Sequence, residues 1–177
     1  MGAPQTVPPD SHQEMTSWRN RVWRYAPLLA WMAVIFFAST GALSASNSGL
    51  AIQPLLHWLF PNITDTGVAV IHSLVRKAGH LIEYAILAVL AARAFSGSAH
   101  KGLRQRWFAA ALGLVVLYSF SDEFHQSFEA SRTASVFDCL IDITGGLAAL
   151  VFYRERQARG PQNTQISQVG KTESGRQ

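Results

Sequence analysis

The chain has 177 residues, 49% of them hydrophobic and 15% charged, with a formal net charge of +4. That length allows one domain, and the composition is too apolar for an ordinary soluble domain and too clustered for disorder. The basic excess does not point to nucleic acid, because it is gathered in short segments between apolar runs rather than laid along one face.

Met1 to Ser17 is rich in Pro, Ser and Gln and reads as a disordered tail. Tyr25 to Leu43 follows without a charge, close to the roughly 20 residues that cross a ~30 Å hydrocarbon core. Ala42-Leu43-Ser44 and Ser44-Ala45-Ser46 resemble signal-peptide cleavage sites. The run is longer than the apolar core of such a peptide and follows a long polar stretch, so a retained span is expected. The connection from Ser44 to Val75 is long for a helical bundle. It holds Leu50, Ile52, Leu55, Leu56, Trp58, Leu59 and Phe60, too short a stretch to span. Two readings stand for it: an interfacial or re-entrant segment with Trp58 at headgroup depth, or a loop packed on the bundle.

Three more apolar runs cover Ala78–Phe95, Trp107–Phe120 and Val136–Tyr153, with a turn containing Gly97 and Gly102 between the first two. Gly145 and Ala149 in the last run form a small-xxx-small pair that lets helices approach closely. Cys139 is the lone cysteine, so no internal disulfide forms. The expectation is an all-α, four-span transmembrane bundle over residues 18–153, with disordered cytoplasmic tails at 1–17 and 154–177. Arg19, Arg21 and Arg24, then Arg93, Lys101, Arg104 and Arg106, then Arg154, Arg156, Arg159, Lys171 and Arg176 all fall on one side of such a bundle. The positive-inside rule makes that side, with both termini, cytoplasmic.

The polar residues inside these runs carry the functional signal. Arg76, His80, Glu83 and Tyr84 share one helical face, as do Asp122 with His125 or Gln126, and Asp138 with Asp142, Gly145 and Ala149. With cytoplasmic termini, Arg76, Lys77, His80, Glu83, Asp122, Glu123, His125, Gln126, Arg132, Asp138 and Asp142 converge near the outer leaflet. Ionisable groups at membrane depth are costly and mark functional sites by default. Three readings are open. One is a structural network that only satisfies itself. The second is a metal site, with His80, Asp122 and His125 as ligands of a hydrolase or transferase and Glu83 or Glu123 as base, although the spacings match no strong metal motif. The third is recognition of a polar ligand, with the cations suited to phosphate and the carboxylates and Gln126 to hydroxyls or amines.

Arg76-Lys77-Ala78-Gly79-His80-Leu81-Ile82-Glu83-Tyr84 resembles the first signature of VanZ-like membrane proteins. Ser121-Asp122-Glu123-Phe124-His125-Gln126-Ser127-Phe128, then Arg132, Asp138, Asp142 and Gly145, are similar to the later ones, in order and at plausible spacing. Glu129-Ala130-Ser131 stands where many members have a proline-glycine turn, and Gly79 where another residue often precedes the histidine. The resemblance implies a small integral protein of the bacterial cytoplasmic membrane, in a family whose namesake is linked to low-level resistance to teicoplanin, a lipid-tailed glycopeptide. The function expected is binding of a membrane lipid or a lipid-linked or lipidated envelope molecule at the outer leaflet. No cofactor, metal or nucleic acid is assigned and no catalytic residue is named; the alternatives are the metal-dependent enzyme above and a purely structural partner of another membrane protein.

Overall fold

The computed structural model describes residues 11–40, 53–128 and 135–159, with side chains from residue 18 onward. Helix α1 runs Ser11–Ala38 and passes through Pro27 without ending there. It begins inside the segment expected to be a tail. Residues 53–59 form a short helix, α2. The second half of the long connection is thus largely helical, with Leu56 buried and Leu55, Trp58, Leu59 and Phe60 exposed. Leu50 and Ile52 lie outside the described residues.

Helix α3, Asp65–Ser96, is 32 residues long and starts well ahead of its apolar run. The start is set locally: the Thr64 side chain accepts from the Gly67 N–H at 3.2 Å, and Asp65 places a carboxylate at the positive end of the helix dipole. Helix α4, Lys101–Gln105, fills the turn. Helix α5 runs Trp107–Gln126 and α6 Val136–Arg159. All elements among the described residues are helical.

Helices α3, α5 and α6 are each long and apolar enough to cross a membrane. Their surfaces fit that medium: Leu117, Phe120, Phe124, Phe137, Leu140 and Phe152 point outward and are exposed, while carboxylates lie inside. A protein in water places these classes the other way round. The chain is a multi-pass membrane protein. Helix α1 is not among the three spans, since its charge-free run continues past Ala38 into residues outside those described.

Helix α3 is the central element and packs against α1, α5 and α6. Its second half is lined with Ala88, Ala91, Ala92 and Ala94, all fully buried with Leu87. Small side chains bring the neighbouring backbones close, which is how helices associate where lipid removes the hydrophobic drive. Helix α6 makes the closest approach. A Cβ on Gly145 would collide with the Leu81 backbone carbonyl of α3, and one on Gly146 would lie 2.7 Å from Val115 Cγ1 of α5. The small-residue expectation therefore holds at Gly145, and the adjacent glycine serves the other neighbour.

Hydrogen bonds along its length fasten α1. Tyr25 donates to Ser98 Oγ at 3.1 Å, Trp31 to the Glu83 carbonyl at 2.9 Å, and Tyr118 to the Met32 carbonyl at 2.5 Å. Helix α1 therefore runs antiparallel to α3. Its Tyr25 end, the α3–α5 turn and the last turns of α6 lie together at one end of the bundle, and the expected site residues lie at the other.

Candidate functional site

The polar stripes of α3, α5 and α6 meet as pairs between helices. Arg76 Nη2 donates to Asp138 Oδ2 at 3.0 Å, on the rim, where the arginine side chain is 30% exposed. One turn deeper, His80 Nδ1 lies 3.2 Å from Asp142 Oδ1, and the Asp142 side chain is fully buried. A carboxylate accepts, so this pairing places a proton on Nδ1. The other Asp142 oxygen accepts from Ser119 Oγ of α5 at 3.0 Å. Asp142 thus joins all three helices. The Cys139 thiol packs one turn away, 3.9 Å from the Ser119 carbonyl.

A second pair of carboxylates comes from the last turns of α5. Asp122 Oδ2 accepts from Gln126 Nε2 at 2.9 Å, and the same amide nitrogen lies 3.4 Å from Ser39 Oγ just beyond α1. Glu123 Oε2 accepts from the Ser135 N–H at 2.8 Å, which ties the approach to α6 onto α5. Asp122 and Glu123 both lie close enough to feel the charges of His80 and Asp142. Among the described residues, four buried carboxylates therefore share one region with two possible cations, Arg76 and His80. Asp122 and Glu123 have neutral partners only among these hydrogen bonds.

Several polar atoms in this region have no hydrogen-bond partner among the described residues although they are buried. They are Tyr84 Oη, Glu123 Oε1, His125 Nδ1 and Gln126 Oε1. Tyr84 and Gln126 are completely buried, and Glu123 is 6% exposed. The Tyr84 hydroxyl lies within reach of the Asp122 and Asp142 charges.

Most of the expected site residues are thus brought together: Arg76, His80, Asp122, Glu123, Gln126, Asp138 and Asp142. Glu83 is half-buried on the same helix; its backbone carbonyl takes the Trp31 bond and its charge reaches His80. Lys77 is exposed and stands apart. Arg132 lies outside the described residues. Of the two residues one turn from Asp122, Gln126 and not His125 is the one that bonds to it. His125 instead stacks on Phe36 of α1, with ring centroids 4.6 Å apart and planes 20° from parallel. The reason is geometric: Gln126, a full turn beyond Asp122, takes the carboxylate, and the imidazole turns to the α1 side. Ser119 and Ser39 were not anticipated from the sequence. Ser119 stands three residues before Asp122 on the same face, and that spacing was its only signal.

The metal reading loses its ligand set. Among the described residues no three His, Cys, Asp or Glu side chains are gathered so as to hold one ion. The set His80, Asp122 and His125 is not gathered in that way.

Comparison with curated proteins and with solved structures gives no match. Residues 25–157 match the VanZ/LLP1 family, a stretch that begins in α1 and ends in the last turns of α6, with the whole polar cluster inside it. The chain belongs to the VanZ/LLP1 family.

Proposed function

We propose that this protein is a four-span component of the bacterial cytoplasmic membrane, with both termini cytoplasmic. In this reading its polar cluster opens toward the outer leaflet and binds a lipid-linked or lipidated envelope molecule. The course of α1 supports the fourth span, since it reaches from Tyr25, bonded to Ser98 at one end, to Ser39, beside Gln126 at the other. Arg93, Lys101, Arg104, Arg106, Arg154, Arg156 and Arg159 lie at the Tyr25 end, which supports a cytoplasmic assignment for it. Reporter fusions at Gly97 and after Tyr153 should report cytoplasm, and one near Asp65 the outside. An Asp65 fusion reporting cytoplasm would overturn the orientation.

The observation that carries the binding reading is the group of buried polar atoms that have no hydrogen-bond partner among the described residues. A network built only to satisfy itself would pair them, because each buried polar group without a partner costs about 1–3 kcal/mol. Glu123 Oε1 and Gln126 Oε1 require donors. Among the described residues four buried carboxylates and the half-buried Glu83 stand against Arg76 and His80, so the cluster suits a ligand presenting ammonium or hydroxyl groups better than a bare phosphate. Arg76 and Asp138, on the rim, would line the approach.

Tyr84→Phe separates this reading from the structural network. The Tyr84 hydroxyl has no partner among the described residues, so its removal should leave detergent thermal unfolding unchanged or slightly raised. If the hydroxyl serves a ligand, the phenotype should be lost. The assay is drug susceptibility of a host with and without the gene, against a lipidated glycopeptide and a non-lipidated one, with wild type and variant at equal membrane abundance. Protection by wild type against the lipidated drug alone, abolished in the variant, is expected. Full protection in the variant would remove Tyr84 from the site, and no protection by wild type would end the glycopeptide reading.

A further inference from the structure

At the end of the bundle away from the buried carboxylates, the start of α5 and the last turns of α6 line a shallow, open cleft of about 540 Å³. Its polar walls are Gln105, Arg106, Arg154 and Gln157, and its apolar floor includes Trp107 and Phe108. Trp107 packs edge-on against both Phe108 and Tyr153, at centroid distances of 5.7 and 5.6 Å. Helix α5 is a membrane-crossing helix that begins at Trp107, so this aromatic group sits at headgroup level, where Trp and Tyr concentrate.

The charge of the cleft is unbalanced. Arg106 and Arg154 are exposed, and neither is in an ion pair among the described residues. The Arg154 guanidinium is held 5.9 Å above the Phe108 ring, which steadies it without neutralising it. The nearby carboxylate of α6, Glu155, lies 3.4 Å from Arg159 instead. No acidic residue occupies the first turn of α5, and Arg106 at its N-cap makes no side-chain capping bond. The dipole of α5, whose N-terminus lies at the cleft, favours an anion at the same place. Two guanidiniums, two amide side chains and a helix N-terminus thus surround one concavity at the depth of lipid headgroups.

We infer that this cleft binds the phosphate of an anionic phospholipid, whose acyl chains run down the lipid-facing sides of α5 and α6. Arg106 and Arg154 bind the phosphate oxygens, Gln105 and Gln157 the headgroup hydroxyls, and Trp107 packs on the glycerol region. The inference rests on α5 and α6 crossing a bilayer, and not on what occupies the carboxylate cluster.

The test uses the full chain in nanodiscs of phosphatidylcholine doped with phosphatidylglycerol, with native mass spectrometry counting the anionic lipid that stays bound on release. Arg106→Gln combined with Arg154→Gln is compared with Arg156→Gln combined with Arg159→Gln, which removes the same charge from the same end. The cleft pair should weaken phosphatidylglycerol retention at least about thirtyfold, as expected when two charge-assisted hydrogen bonds to one phosphate are lost, and the control pair, which loses only diffuse attraction, much less. Thermal unfolding in pure phosphatidylcholine should match wild type for both pairs, because all four side chains are exposed. Equal loss in the two pairs would overturn the site in favour of diffuse charge attraction. Wild type retaining no more phosphatidylglycerol than phosphatidylcholine would overturn it outright. Inorganic phosphate that displaces the lipid at low millimolar concentration, with the same dependence on Arg106 and Arg154, would reassign the cleft to free phosphate.

Discussion

Gly145→Ala is expected to destabilise the bundle by about 3 kcal/mol or more, at the top of the range for an added group in a packed core. The new methyl would meet the Leu81 carbonyl, which is main chain within a continuous helix and cannot turn aside. Relief requires α6 to move off α3, and that movement would separate His80 from Asp142 and Arg76 from Asp138. The damage should therefore appear in the polar cluster as well as in stability. Gly79→Ala supplies the control. Nothing lies within 4 Å of the place its methyl would take, so alanine there should be neutral or add about 0.5–1 kcal/mol through helix propensity. Gly146→Ala should fall between them, because its obstacle is the Val115 side chain, stiff at χ1 but not fixed main chain. The measurement is reversible unfolding in mixed micelles for the three variants. Equal stability of the Gly145 and Gly79 variants would mean that α3 and α6 do not touch at Leu81.

The helical periodicity of Arg76, His80, Glu83 and Tyr84, and of Asp138, Asp142 and Gly145, was enough to identify which faces look inward. That information is local, because residues three and four apart share a face whatever the helix packs against. Which group bonds to which was not legible. Asp122 has both His125 and Gln126 one turn away, and only the rotation of α5 against α1 decides that the amide takes the carboxylate while the ring stacks on Phe36. Ser119 escaped notice for a related reason. A serine in an apolar helix commonly bonds its own backbone, and nothing in the spacing says that this one reaches across to α6. The helix starts were also hidden. Helices α1 and α3 both begin well before their apolar runs, since hydropathy reports the membrane-buried part while caps such as Thr64 set the end of the helix itself.

Asp142→Ala is the other substitution with a large expected effect. Its two oxygens serve two helices, Oδ1 facing His80 of α3 and Oδ2 accepting from Ser119 of α5, and the side chain has no exposed surface. Removal leaves the imidazole N–H and the serine hydroxyl without an acceptor in a region where water is scarce. Breaking a buried pair in this way costs roughly 3–5 kcal/mol. Asp142→Asn keeps the shape but turns an NH₂ group toward one of the two donors, so about half that loss is expected from one unsatisfied contact. Ser119→Ala removes the hydroxyl and leaves the His80 contact in place, for about 1 kcal/mol. The joint variant Asp142→Ala with Ser119→Ala should cost less than the sum of the two single changes, because the serine hydroxyl is no longer there to be orphaned. Unfolding curves for the four variants provide the cycle. Additive losses would show that Ser119 and Asp142 are independent, and an Asp142→Ala loss no larger than that of Ser119→Ala would remove Asp142 as the residue joining the three helices. In either case the stability of the cluster would have to come from Arg76–Asp138 at the rim and from the glycine contacts below it.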